Sequence, residues 1–255
     1  MYKLCKTRLL QGHRTIGFPK VEPVLPERFR GQPRLPESAC PDGCAACIAA
    51  CPLQCLSKPA ASVGRPLSID LGQCVFCGDC ARACPSQRLS FSKDYRLAVR
   101  RREQLVLAGN DLQLADKLAA DLLKLFGRSL KLRQVSAGGC NGCEVDINVL
   151  GVPVFDLGRF GIQMVASPRH ADGLIVTGPV TENMRTGLLK TYAALPSPKL
   201  VIACGACAIS GGPFRDHAQT HNGVGQFMPV DLFIPGCPPH PITILDGLLR
   251  LIGQR

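Results

Sequence analysis

The spacing of the cysteines constrains this chain more than any other feature. Fifteen occur in 255 residues, an odd number, and most fall in short repeats. Residues 74–85 read CVFCGDCARACP, a C-x-x-C-x-x-C-x-x-x-C-P run, and residues 40–52, CPDGCAACIAACP, repeat it with one residue added between the first two cysteines. Disulfide frameworks belong chiefly to small secreted chains. The amino-terminal MYKLCKTRLL has a basic start but neither the apolar stretch nor the cleavage site of a secretory signal. The pattern therefore reads as thiolates that hold metal in a reducing compartment. No run of 18 apolar residues is present to span a membrane.

The second run has the ligand spacing of paired [4Fe–4S] clusters, in which the fourth cysteine of each run binds the other cluster. One cluster then takes Cys40, Cys44, Cys47 and Cys84, and the other takes Cys74, Cys77, Cys80 and Cys51. Pro52 and Pro85 turn the chain after each run. Small residues between the ligands let backbone N–H groups approach the sulfurs. The extra residue between Cys40 and Cys44 can be absorbed in the Pro-Asp-Gly turn; a lost or three-iron cluster is the alternative. Structural zinc is the bland alternative, disfavoured by eight cysteines in this order with both prolines. Cys55 is left over and is expected to be a buried thiol.

Residues 1–36 carry Pro19, Pro23, Pro26, Pro33 and Pro36, which forbid a regular helix or central strand there, and read as an extended basic arm laid over a neighbour. Residues 37–92 form the two-cluster unit, with PLSIDL as a short strand, and 93–129 read as a connector. Within the connector a helix is expected from Asp111, as cap, to Phe126, with Ala115, Leu118, Ala119, Leu122, Leu123 and Phe126 on one face and Gly127 at its end. In residues 130–255, short apolar runs (SLKLRQV, IQMVAS, GLIVTG, KLVIAC, DLFIPG) alternate with helix-length segments, which implies an α/β domain with a parallel, flavodoxin-like sheet. Ligands in such sheets lie at the carboxyl ends of strands. The remaining cysteines fall there: Cys140 and Cys143 after the first run, Cys204 and Cys207 after KLVIA, Cys237 after DLFIPG. Four of them would hold a third [4Fe–4S] cluster: Cys140, Cys143, Cys207 and Cys237. Cys204 is spare by this count but could exchange with Cys207. Gly138, Gly139 and Gly142 are read as room for a bulky cofactor.

On these motifs, residues of about 130–253 resemble the small-subunit family shared by [NiFe] hydrogenases and the 20 kDa cluster-bearing subunit of respiratory complex I: GGCNGCE, SPRHAD, TGPVTENM, GACAISGG and IPGCPP occur in order. The C-x-x-C at 140–143 is similar to the hydrogenase branch, closest to membrane-bound group 4 enzymes of the formate hydrogenlyase type, whereas complex I proteins have adjacent cysteines there. Residues of about 1–100 resemble the two-cluster polyferredoxin subunit of the same enzymes, through FRGQP, CAACIAACP and LGQCVFCGDCARACP. The resemblance implies a fusion of two electron-transfer subunits. It implies as partners a large subunit holding a nickel–iron centre, membrane-arm subunits, and a formate- or carbon-monoxide-oxidising unit or a ferredoxin. It implies a peripheral location on the cytoplasmic face of the cell membrane, and as rival reading a complex I-like or nickel-free quinone or ferredoxin oxidoreductase. The departures are the wider Cys40–Cys44 spacing and Cys204.

No Ser/His/Asp set, paired acid or nucleotide fingerprint is visible, so the chain alone has no complete active site. Glu144, beside Cys143, is either a proton relay or a capping glutamate. Arg169 and His170 could line a subunit interface or hydrogen-bond cluster sulfurs. His217, His221 and His240 lack ligand spacing. The formal charge is +11 and tryptophan is absent, with aromatics at 5%. Nucleic acid is not expected as a partner, since there is no base-stacking surface. Three clusters at about −2 each would bring the net charge to roughly +5.

Overall fold

The computed structural model describes every residue except 39, 42, 59–66 and 128. The chain begins with helix α1 (Tyr2–Gln11). The two-cluster unit follows, with β1 (Pro33–Arg34), α2 (Ala46–Ala49), β2 (Leu56–Ser57), β3 (Ser68–Asp70), α3 (Asp79–Arg82), β4 (Ser90–Phe91) and β5 (Val106–Leu107). β1 pairs antiparallel with β4, and β2, β3 and β5 form an antiparallel sheet. The internal repeat is visible in the backbone. The N–H of Gln54 donates to the carbonyl of Cys51 and that of Gln87 to the carbonyl of Cys84, with both glutamines left-handed at φ 52° and 51°. Each C-P-x-Q stretch is thus the same tight turn, and it returns the chain toward its own cluster cysteines.

The second unit holds α4 (Ala120–Phe126), β6 (Leu130–Ser136), α5 (Gly142–Val149), β7 (Ile162–Met164), β8 (Gly173–Thr177), α6 (Glu182–Ala193), β9 (Leu200–Cys204), α7 (Ala206–Ser210), β10 (Leu232–Ile234) and α8 (Pro241–Leu251). Its five strands are parallel in the order β10-β9-β8-β6-β7. Renumbered from β6, this is the doubly wound 2-1-3-4-5 order, with the switch point between β6 and β8. β8 and β9 are buried along their whole length, as continuous apolar runs in a covered parallel sheet should be.

The two faces of this sheet have different covers. Ile175, Ile202 and Ile234 point to one side and pack with Ile147 of α5 and Ile244, Leu245 and Leu248 of α8. Val135, Leu174, Val176, Val201 and Phe233 point to the other, where they join Leu56, Ile69, Leu71, Leu105 and Leu107 of the two-cluster unit, with Leu188 of α6. The cluster-bearing unit is therefore one of the layers of the α/β fold.

The expected connector is where this union is made. Val99 exchanges both backbone hydrogen bonds with Phe233 of β10, while β5 pairs with β3. The expected helix from Asp111 starts only at Ala120, without a side-chain cap. Two backbone donors that an earlier helix would need are committed elsewhere: Ala115 N–H bonds the Ala98 carbonyl and Leu118 N–H the Leu251 carbonyl. Residues 1–36 also differ from an arm laid over a neighbour. Their first part is helical, α1, since the prolines begin only at Pro19. The later part wraps this chain's own body. Phe18 is 2% exposed and meets Tyr95 edge-on at 6.0 Å, while Arg255 lies over both rings. Only α1 stands off, with no buried residue.

Gly31 marks how closely the arm is fitted. A Cβ there would lie 2.1 Å from the carbonyl oxygen of Asp94, and the Gly31 N–H is already bonded to Ser92 O at 2.8 Å. Gly31→Ala should destabilise the chain by about 1–3 kcal/mol, read as a lowered thermal midpoint; an unchanged midpoint would show that the arm is not held in this fit.

Candidate metal centres

The thiols gather at three places. Cys40, Cys44, Cys47 and Cys84 line one pocket, whose wall includes Leu67 and Arg88. Cys51, Cys74, Cys77 and Cys80 line a second, together with Cys55. Each set draws three thiols from one run and one from the other, because the short helices α2 and α3 lie side by side and carry the fourth cysteine of each run across. Backbone donors face the sulfurs: Phe76 N–H points at Cys74 Sγ at 3.4 Å. Burial pushes the Cys47 thiol up, followed by the charges of Cys84 and Cys40. Cys80 is pushed up to about 12 by burial, then by Cys51, Cys55 and Cys77.

The third gathering is at the carboxyl ends of β6, β9 and β10. Cys140 and Cys143 flank the start of α5, Cys207 lies in α7, and Cys237 follows β10. Burial raises Cys207 to about 12, followed by the influence of Cys237, Cys140 and Glu144. Cys143 is raised by burial first, then by Cys207, Glu144, Cys237 and Cys140. These thiols are therefore near enough to influence one another. Cys204 does not take part in the same way. It is completely buried as the last residue of β9, and of the other thiols only Cys143 acts on it. Gly205, at φ +92°, passes so close that a Cβ would fall 2.5 Å from Cys143 Sγ.

The glycines at 138 and 139 serve another end than the one expected. A Cβ on Gly138 would lie 2.4 Å from the Thr181 side chain, and one on Gly178 would lie 2.5 Å from Gly139 N. They let the loop after β6 lie backbone to backbone on the turn after β8. Gly142 alone borders the thiols, with its would-be Cβ 3.6 Å from Cys140 Sγ. β8 bears no cysteine but contributes Thr177, whose hydroxyl donates to Glu144 Oε1 at 2.6 Å; Glu144 is 5% exposed. Arg169 and His170 are exposed on the turn that leads into β8 at its amino end, where Asp172 N–H bonds Lys131 O. The cysteines lie at the opposite, carboxyl ends, so neither side chain is positioned to bond their sulfurs. His240 caps α8, its Nδ1 accepting from Ile242 N–H, and His221 pairs with Glu182.

Between the second and third gatherings the two units touch through residues the sequence did not single out. Ser210, three residues after Cys207, donates its hydroxyl to the carbonyl of Gly72, two residues before Cys74, at 2.9 Å. Arg215 Nη1 bonds Gln73 Oε1 at 2.5 Å. Arg102 pairs with Asp70, whose other oxygen accepts the Gly72 N–H. Val75 and Phe76 also border a cleft with Cys237 and Pro238. The only sequence signal for this contact was the serine in GACAISGG.

The donors suit [4Fe–4S] clusters. Each gathering offers at least four thiols, and thiols raised by burial, as at Cys47, Cys80, Cys143 and Cys207, are held as thiolates by a bound iron core. Among the described residues, no three His, Cys, Asp or Glu side chains converge on a point as the ligands of a single ion would.

Residues 140–251 match the family described as NADH ubiquinone oxidoreductase, 20 Kd subunit, and residues 38–95 match the 4Fe-4S dicluster domain. The chain is 46% identical over 136 residues to formate hydrogenlyase subunit 7 of Escherichia coli K12, covering 53% of each protein. It is 44% identical over 139 residues to "Probable membrane-bound hydrogenase subunit mbhJ" of Pyrococcus furiosus, covering 54% of this chain and 83% of that protein. It is 46% identical over 131 residues to an NADH-quinone oxidoreductase subunit of Roseiflexus sp. RS-1, covering 51% and 48%. The chain thus spans about half the length of two of these relatives. A solved structure of the membrane-bound sulfane sulfur reductase, an archaeal respiratory membrane complex, aligns with 54% of this chain and 76% of its own at 32% identity and a TM-score of 0.47.

Substitutions at the third gathering separate its members. Cys207→Ala should remove about four iron atoms per chain, while Cys204→Ala should leave the iron content unchanged; the reverse pattern would transfer the ligand role to Cys204. Gly205→Ala should cost the same four or so irons through the Cys143 contact alone, with the electron paramagnetic resonance signals of the other clusters retained.

Proposed function

Starting from a chain that belongs to the family of the NADH ubiquinone oxidoreductase 20 Kd subunit and carries a 4Fe-4S dicluster domain ahead of it, we propose that it is the electron-relay subunit of a membrane-associated group 4 [NiFe] hydrogenase of the formate hydrogenlyase type. The observation that carries this reading is the Ser210–Gly72 contact, which ties the Cys207 loop to the Cys74 loop. It supports a row of three [4Fe–4S] clusters in one rigid body. The Cys140–Cys143–Cys207–Cys237 site stands next to the Cys51–Cys74–Cys77–Cys80 site, and the Cys40–Cys44–Cys47–Cys84 site lies beyond. Bound clusters supply one-electron carriage. The protein's part is to fix their spacing through the sheet and the contact at Gly72, and to direct backbone N–H groups at them.

In this reading the third site faces a large subunit with a nickel–iron centre, and the first exchanges electrons with a formate- or carbon-monoxide-oxidising unit or a ferredoxin. Glu144, buried beside Cys143 and held by Thr177, serves in this reading as a proton relay, which its burial supports. The likeness to an NADH-quinone oxidoreductase favours a second reading, a complex I-like or nickel-free quinone or ferredoxin oxidoreductase. The large-subunit sequence separates the two: the first requires two C-x-x-C pairs for nickel. No helix among the described residues is long and apolar enough to cross a membrane. Association with membrane-arm subunits on the cytoplasmic face is assigned to α1, which exposes Tyr2, Leu4, Leu9 and Leu10 among Lys3, Lys6 and Arg8.

Three measurements test this function. Anaerobically purified protein should carry roughly 12 iron atoms per chain; a reproducible value near four or eight would refute the relay of three. Glu144→Gln should lower turnover of the assembled complex by roughly 100-fold or more with iron content unchanged, and an unaltered turnover would leave Glu144 a structural residue. Deleting residues 1–12 should leave the iron in place and release the chain from membranes; retention at ordinary salt would place docking on the α/β unit.

A further inference from the structure

Cys55 is the one thiol in the second pocket that the relay does not use. It is 7% exposed, and its Sγ stands 3.2 Å from Cys51 Sγ. It also lies against Cys74. At 3.2 Å from Cys51 Sγ, the Cys55 sulfur stands within reach of an iron that Cys51 would hold.

The internal repeat gives an independent reason why this side chain faces the pocket. Residues 51–57 read CPLQCLS and residues 84–90 read CPSQRLS. Both pass through the same left-handed glutamine turn, at Gln54 and Gln87. The residue after that turn lines the pocket of its own half: Arg88 beside Cys84 in the first pocket, Cys55 beside Cys51 in the second. The position is a pocket-facing one by backbone geometry, and one half fills it with a cation while the other fills it with a soft donor.

We propose that Cys55 is a reserve ligand of the Cys51–Cys74–Cys77–Cys80 cluster and can replace Cys51 at its iron; this rests on the cluster reading above. The exchange balances without a redox partner. One iron–sulfur bond to Cys51 is replaced by one to Cys55, the Cys55 thiol proton passes to the Cys51 sulfur, and no electron moves. The tight turn between the two residues makes it a side-chain rotation with little movement of the backbone.

The test uses the full-length chain purified anaerobically, with iron content and electron paramagnetic resonance of the reduced protein as readouts. Wild type and Cys55→Ala should both hold roughly 12 iron atoms per chain. Cys51→Ala should keep that number with a shifted signal for one cluster, and Cys51→Ala/Cys55→Ala should lose about four. Cys77→Ala is the control that should lose the cluster outright. Cys51→Val, closer in size and unable to bind iron, serves where Cys51→Ala does not fold, folding being followed by the signal of the third cluster. Retention in the Cys51 variant with loss in the Cys77 variant supports the exchange; equal loss or equal retention in both overturns it. A wild-type chain lacking this cluster would overturn the cluster reading and the proposal together. A wild-type chain that has it, beside a Cys51 variant that has lost it, overturns the proposal alone.

Discussion

The structure depends on the burial of one sheet face against the cluster-bearing unit. A doubly wound sheet needs both faces covered, and helices normally supply both covers. Here α5 and α8 cover one face, while Val135, Val176, Val201 and Phe233 on the other meet Leu56, Ile69 and Leu107. At roughly 25 cal/mol per Å² of apolar surface buried, an interface of large aliphatic side chains outweighs the single Ser210–Gly72 hydrogen bond, worth about 1 kcal/mol. The apolar contact supplies the adhesion and the hydrogen bond sets the register. Together they fix how far the Cys207 loop stands from the Cys74 loop, on which electron transfer between clusters held there would depend.

The same burial explains the chemistry of the thiols. Cys80 and Cys207 are both pushed up to about 12 by burial first and by neighbouring cysteines second. Such a group is a poor free thiolate and a good ligand once a cationic iron core takes the place of the proton. Glycine at 205 and the turns at Gln54 and Gln87 then decide which sulfurs can come together. Cys204 is the contrast. It is as buried as any side chain here, and of the other thiols only Cys143 acts on it.

Much of this was legible in the sequence because cysteine spacing and alternating apolar runs are local signals. The five parallel strands, the helices at 182–193 and 241–251 and the cysteine groups could all be anticipated from residues near one another in the chain. What could not be read depended on distant partners. The helix expected from Asp111 loses its first part because Ala115 and Leu118 bond Ala98 and Leu251. The connector is an interface strand because Val99 finds Phe233. Gly138 and Gly139 answer to Thr181 and Gly178, some 40 residues away, not to a cofactor. Proline content anticipated the irregular course of the arm, but the partner of Phe18 is Tyr95 of the same chain.

The claim that everything else rests on is the order of the three sites, with the Cys51 set between the other two. Magnetic coupling between reduced clusters tests it most directly, since dipolar broadening falls steeply with distance. The spectrum of the Cys51–Cys74–Cys77–Cys80 cluster should be broadened by both neighbours and should narrow when Cys237→Ala removes the third cluster, while the Cys40–Cys44–Cys47–Cys84 signal stays as it was. If removal of the third cluster instead sharpens the Cys40 set and leaves the Cys51 set unchanged, the order is wrong and the Ser210–Gly72 contact is not the electron path.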